Sequence, residues 1–365
     1  MPVQRIGTIM SGAMAGLAIA GCASDSRSSR VARVAPPPVV YAAPRPIVQP
    51  LPPVRNVAAP EALVALVQSL TRDFGGKVGI AVKSLDDDWM ATSNGDLKLP
   101  QQSVSKLWVA MTVLDARDQG KLTLDDPITV RREDLTLFHQ PIAALVKDAG
   151  YTTTVGELLQ RALTQSDNTA NDRLLQFVGG PTAVRAFLAK KAIADIRFGP
   201  GERALQSLTA GLDWKPEYSR GNAFELARSR IPASTRMDAF ERYIADPVDG
   251  AAPRAIATAL ARLKRGELLS PSSTQYLIGT MESSRTGKQR MRGAVPEGWT
   301  FGHKTGTGQN FGGRTAGYND VGFLIAPNGK AFTIAVMIGD TDKTIAERQA
   351  LMQAVVLGVV TNYRW

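Results

Sequence analysis

The sequence has few of the residues that build cross-links and metal centres. Its 365 residues include one cysteine, Cys22, and two histidines, His139 and His303. One cysteine excludes a disulfide within the chain, and two histidines cannot by themselves form a three-histidine zinc site. No serine stands in the G-x-S-x-G pattern of a nucleophile elbow. The sequence therefore implies neither a metal or other cofactor nor a Ser-His-Asp triad.

Long apolar runs are also scarce. Residues 9–20 are apolar but too short to span a bilayer as a mature helix. Arg5 precedes this run, which leads into residues 19–22 (IAGC), and these resemble a bacterial lipobox. In lipoproteins of that kind the cysteine is lipidated and becomes the new N-terminus. We therefore expect residues 1–22 to be a lipoprotein signal peptide with Cys22 lipidated, and an ordinary cleaved signal peptide is the alternative.

The residues that follow differ from the rest of the chain in composition. Nine of the 22 prolines lie between Pro36 and Pro60. Such a segment favours extended, polyproline-like conformations and lacks the periodicity of a core-forming element. At about 3 Å per residue, residues 23–60 could reach on the order of 100 Å. We interpret them as a disordered tether.

Much of the positive charge also lies in this N-terminal part. Of the net charge of +10, residues 1–60 supply +5, from six arginines and one acid, Asp25. Basic residues in an exported tether suit anionic lipid or cell wall, and no other feature indicates nucleic-acid binding. Since Ala23 rather than aspartate follows Cys22, the lipoprotein resemblance implies an outer-membrane anchor on the periplasmic side of a Gram-negative envelope.

Residues 61–365 have the pattern of a mixed α/β protein with a helical middle. Apolar spacing predicts an opening helix at 63–70, and a strand is predicted at 77–84. Asn328-Gly329, between two β-rich runs, predicts a hairpin because both residues tolerate positive φ. We assign residues 61–98 and 282–365 to an α/β part and residues 99–281 to a mainly helical part. The remaining predicted elements are helices at 155–163, 170–177, 253–263 and 343–360 and strands at 320–326 and 331–338.

The first two of three chemical motifs lie in the helical part. In residues 103–106 (SVSK), Lys106 follows Ser103 by three positions, so on a helix its amine can lie beside the serine hydroxyl. In residues 166–168 (SDN), Ser166 could relay a proton to a leaving nitrogen and Asn168 could hold a substrate amide. The same tripeptide would also suit a helix N-cap.

The third motif, residues 304–306 (KTG), follows a strand-like run. Lys304 and Thr305 could bind a substrate carboxylate at the edge of a strand. Gly306 would let the backbone approach closely, so that the N–H of Thr307 could serve an oxyanion hole. A strand end followed by a glycine-rich loop is the alternative.

In this order and spacing, S-x-x-K, S-D-N and K-T-G resemble the signature of the penicillin-recognising serine enzymes. The resemblance covers about residues 60–365 and implies an antiparallel sheet flanked by helices, an all-helical subdomain and an active site at their interface. Segments similar to class A β-lactamases in particular are residues 75–82, 266–269, 296–306, 319–321 and 347–348.

A glutamate indicates the subfamily. Class A enzymes carry an E-x-x-L-N pattern after S-D-N, and its glutamate activates the deacylating water. Residues 202–206 (ERALQ) stand at about the expected distance, with Gln206 in place of asparagine. The resemblance implies that Glu202 and Gln206 position this water, and a solvated loop glutamate is the alternative.

Two segments depart from the family pattern. The 46 residues between Gln206 and Pro253 are longer than usual, and aromatic residues within 213–250 predict a helical cover that could be a substrate lid or decoration. The loop at 308–317 is also longer than usual. Arg314 could add a second cation for a substrate carboxylate, and Arg290 and Arg292 are the other candidates. For each of them the alternative is a solvated arginine.

The resemblance implies a monomeric β-lactamase that confers β-lactam resistance by covalent two-step hydrolysis. Ser103 attacks the lactam carbonyl after losing its proton to Lys106, or to Glu202 through water. The backbone N–H groups of Ser103 and Thr307 hold the oxyanion, and Ser166, assisted by Lys304, protonates the leaving nitrogen. The rivals are a penicillin-binding DD-peptidase, which lacks the deacylating glutamate, and a peptidoglycan-binding lipoprotein without turnover.

Overall fold

The computed structural model describes residues 57–363. The predicted signal peptide, its Cys22 and nearly all of the tether lie outside the described residues. The strands are β1 Lys77–Ser84, β2 Met90–Ser93, β3 Leu99–Pro100, β4 Pro127–Val130, β5 Tyr151–Thr154, β6 Gly250–Ala251, β7 Thr300–Thr307, β8 Asn310–Phe311, β9 Arg314–Thr315, β10 Tyr318–Ile325 and β11 Ala331–Asp340. The α-helices are α1 Glu61–Phe74, α2 Lys106–Asp118, α3 Val155–Gln160, α4 Asn168–Phe177, α5 Gly180–Lys190, α6 Glu202–Thr209, α7 Ala223–Arg230, α8 Ala233–Ala245, α9 Pro253–Lys264, α10 Pro271–Glu282 and α11 Ile345–Asn362.

Five strands form one antiparallel sheet in the order β2-β1-β11-β10-β7. Alternate residues of β1 face opposite sides: Val78 and Ile80 pack in the core beneath α1 and α11, while Ala81 belongs to the core of the helical part. Helix α9 covers the second face closely, since a Cβ at Gly79 would lie 2.7 Å from the Pro253 ring. The predicted mixed α/β fold is confirmed.

The predicted hairpin joins β10 and β11, with one difference at its turn. Only Gly329 has positive φ, at 90°, and Asn328 does not. The N–H of Gly329 donates to the carbonyl of Ala326 at 2.9 Å, and Ala326 N–H donates to Lys330 at 2.9 Å. Glycine alone therefore supplies the left-handed residue that this turn requires.

Helix α2 is the centre of the helical part. All residues from Lys106 to Leu114 are buried, because α4, α5 and α10 surround it. Burial on all sides explains why the sequence shows an apolar run here rather than an amphipathic pattern. It also fixes the first turn of α2, from which Lys106 extends.

The long segment before Pro253 folds as a helical cover. It contains α7 and α8, and its aromatic residues pack in two small clusters, one around Phe224 and Tyr218 and one around Phe240 and Tyr243. The prediction of helical packing agrees with this arrangement. The second cluster includes Leu205 of α6, so the cover is anchored beside Glu202.

The loop expected at 308–317 is instead a short hairpin of β8 and β9. Gly312 and Gly313, both at positive φ, make its turn. Gly308 N–H donates to Gly317 at 2.7 Å. A Gly-Gly pair between short runs is itself a hairpin signal, so the pattern was present in the sequence.

No helix among residues 57–363 combines the length and apolar character needed to cross a bilayer. The same residues contain no group of three or more His, Cys, Asp or Glu side chains that could hold a metal ion.

Candidate active site

Ser103 lies in a short 3₁₀ turn, Gln102–Ser105, directly before α2. The Nζ of Lys106 donates to the Oγ of Ser103 at 2.7 Å. In a 3₁₀ turn, residues three apart eclipse one another, so the predicted juxtaposition of this pair is observed. The turn begins with Gln102 in the left-handed region, at φ 53°.

Lys106 connects Ser103 to two further predicted residues. Its Nζ also donates to the Oδ1 of Asn168 at 2.9 Å and forms an ion pair with Glu202. The side chains of Lys106 and Glu202 are 0% and 3% exposed. Through this chain of hydroxyl, amine and carboxylate, Ser103 can pass its proton to either of two groups.

The three residues of the S-D-N tripeptide make different contacts. Asp167 is the N-cap of α4, accepting from Ala170 N–H at 2.9 Å, and burial raises its pKa. Ser166, at φ 61°, accepts from the Nζ of Lys304 at 2.8 Å. Asn168 donates to the carbonyl of Leu137 at 2.9 Å, which fixes its amide beside Lys106. Asp167 therefore caps α4, while Ser166 and Asn168 contact the lysines of the other two motifs.

The K-T-G motif lies within β7, the edge strand of the sheet. Lys304 is buried, and burial together with the nearby charge of Lys106 lowers its pKa well below the usual value. A Cβ at Gly306 would lie 2.4 Å from the carbonyl of Gln101. Only glycine therefore lets β7 approach the segment that carries Ser103.

Glu202 begins α6, and Gln206 lies one turn later. The Nε2 of Gln206 donates to the Oε1 of Gln102 at 3.0 Å and lies 3.4 Å from the Oε2 of Glu202. The extra methylene of glutamine relative to asparagine therefore still allows contact with Glu202.

Most of the predicted site residues line one cleft of about 370 Å³, but Lys106, Glu202, Lys304 and Gly306 do not. Of the three candidate arginines, Arg290 lines it, and its guanidinium donates to the Oγ1 of Thr307. Arg314 forms ion pairs with Asp340 and Glu241, and Arg292 donates to carbonyl groups of Glu282 and Phe301. The residues that line the cleft are Ser103, Phe138, His139, Gln165, Ser166, Asn168, Gln206, Thr286, Gly287, Arg290, Thr305, Thr307, Gly308 and Gln309.

Neither histidine is arranged as a base for a serine. His303 is buried, and its Nδ1 lies 2.7 Å from Asp320. His139 lies in the cleft wall with its Nε2 2.8 Å from the carbonyl of Gln165. The amine within hydrogen-bond distance of the Ser103 hydroxyl is that of Lys106, at 2.7 Å.

The family model described as "Beta-lactamase enzyme family" matches residues 62–360. The chain belongs to this family. It is a serine hydrolase of the class A type, and its relatives support that assignment.

This β-lactamase is 28% identical over 290 residues to the extended-spectrum β-lactamase PER-1 of Pseudomonas aeruginosa, covering 79% of this chain and 83% of the relative. A crystal structure of a β-lactamase from Chitinophaga pinensis matches with a TM-score of 0.68 and 26% identity, covering 81% of this chain and 97% of that one. An ancestral class A β-lactamase matches with a TM-score of 0.64 and 30% identity, covering 82% and 100%.

Sequence reasoning missed a carboxylate that holds Glu202. The Oδ1 of Asp172 accepts from Glu202 N–H at 2.9 Å, and its Oδ2 accepts from Arg203 N–H at 3.2 Å. Burial, with the negative charge of Glu202, raises the pKa of Asp172 to about 6. Its position four residues after Asn168, on the same helix face, was the signal in the sequence.

Proposed function

We propose that this β-lactamase hydrolyses the β-lactam amide with Ser103 as its nucleophile. The observation that carries the proposal is the chain of contacts from the Oγ of Ser103, in the cleft wall, through the buried Nζ of Lys106 to the buried Glu202. In the first step, the oxygen of Ser103 bonds to the lactam carbonyl carbon while its proton passes to Lys106, or to Glu202 through water. The negative oxygen that forms is held by the N–H groups of Ser103 and Thr307.

Collapse of this intermediate breaks the carbon–nitrogen bond of the ring. The leaving nitrogen takes a proton from the hydroxyl of Ser166. The Nζ of Lys304, 2.8 Å from that hydroxyl, lowers its proton affinity electrostatically. Ser166 then recovers the proton that Ser103 gave to the Lys106–Glu202 pair, so that ring opening leaves the site with its starting number of protons.

The substrate carboxylate binds at β7 in this proposal. Thr305 and Thr307 line the cleft beside Lys304, and Arg290 lies behind Thr307 as the second cation. Asn168 holds the substrate's side-chain amide. A carboxylate at this place gains charge-assisted hydrogen bonds, which are stronger than neutral ones.

Deacylation is the step assigned to Glu202 and Gln206. Glu202 removes a proton from water, whose oxygen bonds to the acyl carbon, and the Ser103 oxygen leaves and takes that proton from Glu202. The amide of Gln206, 3.4 Å from Glu202, holds the carboxylate towards the cleft. Asp172 fixes the first turn of α6 from behind.

The test is the purified chain mixed with a large excess of a chromogenic cephalosporin. We expect hydrolysis of many equivalents per enzyme by the wild type and none by Ser103→Ala. Consumption that stops after one equivalent would instead indicate a penicillin-binding DD-peptidase.

We also propose that the enzyme is a monomer anchored by Cys22 in the outer membrane, on the periplasmic side. The lipobox-like residues 19–22 and the proline-rich residues 23–60 support this placement. A tether of that composition would let the hydrolase domain reach β-lactams entering the periplasm, and its arginines suit anionic lipid or peptidoglycan.

A further inference from the structure

Helix α8, in the segment added before Pro253, brings a buried hydroxyl to the nucleophile turn. The Tyr243 hydroxyl accepts from the Nε2 of Gln102 at 2.7 Å and donates to the Oδ1 of Asp249 at 3.0 Å. Tyr243 and Asp249 are 6% and 1% exposed. A fold that only needed to cover this region could do so with an apolar side chain.

The same carboxylate holds the backbone next to the nucleophile. The Oδ2 of Asp249 accepts from Gln102 N–H at 2.8 Å. Gln102 is a non-glycine residue at φ 53°, a conformation that persists only when its surroundings enforce it. Asp249 and Tyr243 therefore hold both the backbone and the side chain of the residue that precedes Ser103.

The donors and acceptors of these hydrogen bonds link Tyr243 to Glu202 through Gln102 and Gln206. Burial and the nearby charge of Asp249 raise the pKa of Tyr243 well above its usual value, so the hydroxyl keeps its proton and donates it to Asp249. It must then accept from the Nε2 of Gln102, which also donates to the carbonyl of Ala316 at 3.3 Å. The Oε1 of Gln102 is left to accept from Gln206 at 3.0 Å. Gln206 in turn contacts Glu202.

We propose that Tyr243 is a positioning residue that fixes the amide orientation of Gln102, and through it the geometry of Ser103 and of the Gln206–Glu202 pair. The added segment is on this account part of the catalytic support rather than decoration. This inference rests on the proposed function for its kinetic consequence, and its structural part can be tested separately.

The kinetic test compares two tyrosines of the same segment. Tyr243→Phe keeps the ring in its cluster and removes only the hydroxyl. Tyr218→Phe is the matched control, because Tyr218 is also buried among aromatic rings and its hydroxyl makes no hydrogen bond to the residues that the structure describes. Because Tyr243→Phe leaves the buried amide of Gln102 and the carboxylate of Asp249 without this partner, we expect it to slow deacylation of a penicilloyl adduct about 5- to 30-fold. Tyr218→Phe should stay within about twofold of wild type.

A double-mutant cycle shows whether the effect passes through Gln102. Gln102→Met keeps the side-chain length and removes the amide. In that background, Tyr243→Phe should slow deacylation less than it does in the wild type, because one of the two hydrogen bonds it breaks, the one to the Gln102 amide, is already absent. Equal slowing with and without the Gln102 amide, or equal rates for the two tyrosine variants, would overturn the proposal.

Hydrogen exchange separates this proposal from the proposed function. In the absence of any β-lactam, Tyr243→Phe should lower the protection of the backbone N–H of Gln102, while Tyr218→Phe should not. A wild type without turnover would refute the proposed function and leave this comparison valid. Unchanged protection at Gln102 would overturn the positioning role.

Discussion

Replacing Glu202 by glutamine should stop the catalytic cycle at the acyl-enzyme. Glutamine keeps the size of the side chain and an oxygen that can accept from Lys106, but it cannot take a proton from water. Loss of a positioned general base costs about 10²–10⁴ in rate, which corresponds to about 3–5 kcal/mol of transition-state stabilisation. Deacylation should slow by that factor.

Acylation should survive the same substitution. Lys106 is fully buried, and Glu202 is its carboxylate partner. Glutamine leaves the amine of Lys106 in place, held by Asn168 at 2.9 Å, so the group beside the Ser103 hydroxyl is retained. A neutral amine 2.7 Å from the Oγ of Ser103 can accept the hydroxyl proton directly.

The assay is intact-protein mass spectrometry after rapid mixing with a penicillin. We expect a penicilloyl adduct on Ser103 that persists at least about 100 times longer in Glu202→Gln than in the wild type. Glu217→Gln is the control, since Glu217 is exposed and forms no ion pair among the described residues. Deacylation of Glu202→Gln within threefold of wild type would refute the assignment of the base.

Three further outcomes are expected. Ser103→Ala should abolish covalent labelling by a fluorescent penicillin, and retained labelling would mean that another residue is the nucleophile. Because the pKa of buried Asp172 is about 6 in the folded protein and near 3.8 when unfolded, its ionisation does not lower stability well below pH 3.8 and lowers it by about 3 kcal/mol well above pH 6. In urea unfolding, the free energy of unfolding of Asp172→Asn relative to wild type should therefore rise by about that amount between pH 4 and pH 7.5. A difference that does not change with pH would contradict a raised pKa of Asp172. Cys22→Ala should prevent incorporation of labelled palmitate and release the protein from the membrane fraction, whereas a processed, labelled and membrane-bound variant would refute lipidation at Cys22.

Local patterns predicted most of the secondary structure. The strand at 77–84 and the helices at 155–163 and 253–263 follow from residue spacing alone, and the structure has elements at these places. The Ser103–Lys106 contact was also predictable, because it depends on only three residues of chain. At 308–317, the expected loop is a hairpin, and its signal, the Gly312-Gly313 pair, is present in the sequence.

Contacts between residues far apart in the sequence could not be predicted from local patterns. Ser166 and Lys304 are 138 residues apart in sequence, and only the resemblance of the three motifs to a known family placed them together. Asp249 and Gln102 meet because β3 pairs with β6, two short strands without a periodic signal. No pattern in the sequence therefore indicates the network of Tyr243, Asp249 and Gln102. The catalytic roles assigned to individual residues remain predictions.

The central claim is that the acyl-enzyme forms on Ser103 and is hydrolysed. The most direct measurement mixes the wild-type enzyme with a hundredfold excess of a penicillin and follows the masses of both components. We expect all of the penicillin to gain one water and the enzyme to return to its unmodified mass. An enzyme that keeps the mass of one penicillin, while the remaining penicillin stays intact, would contradict the account.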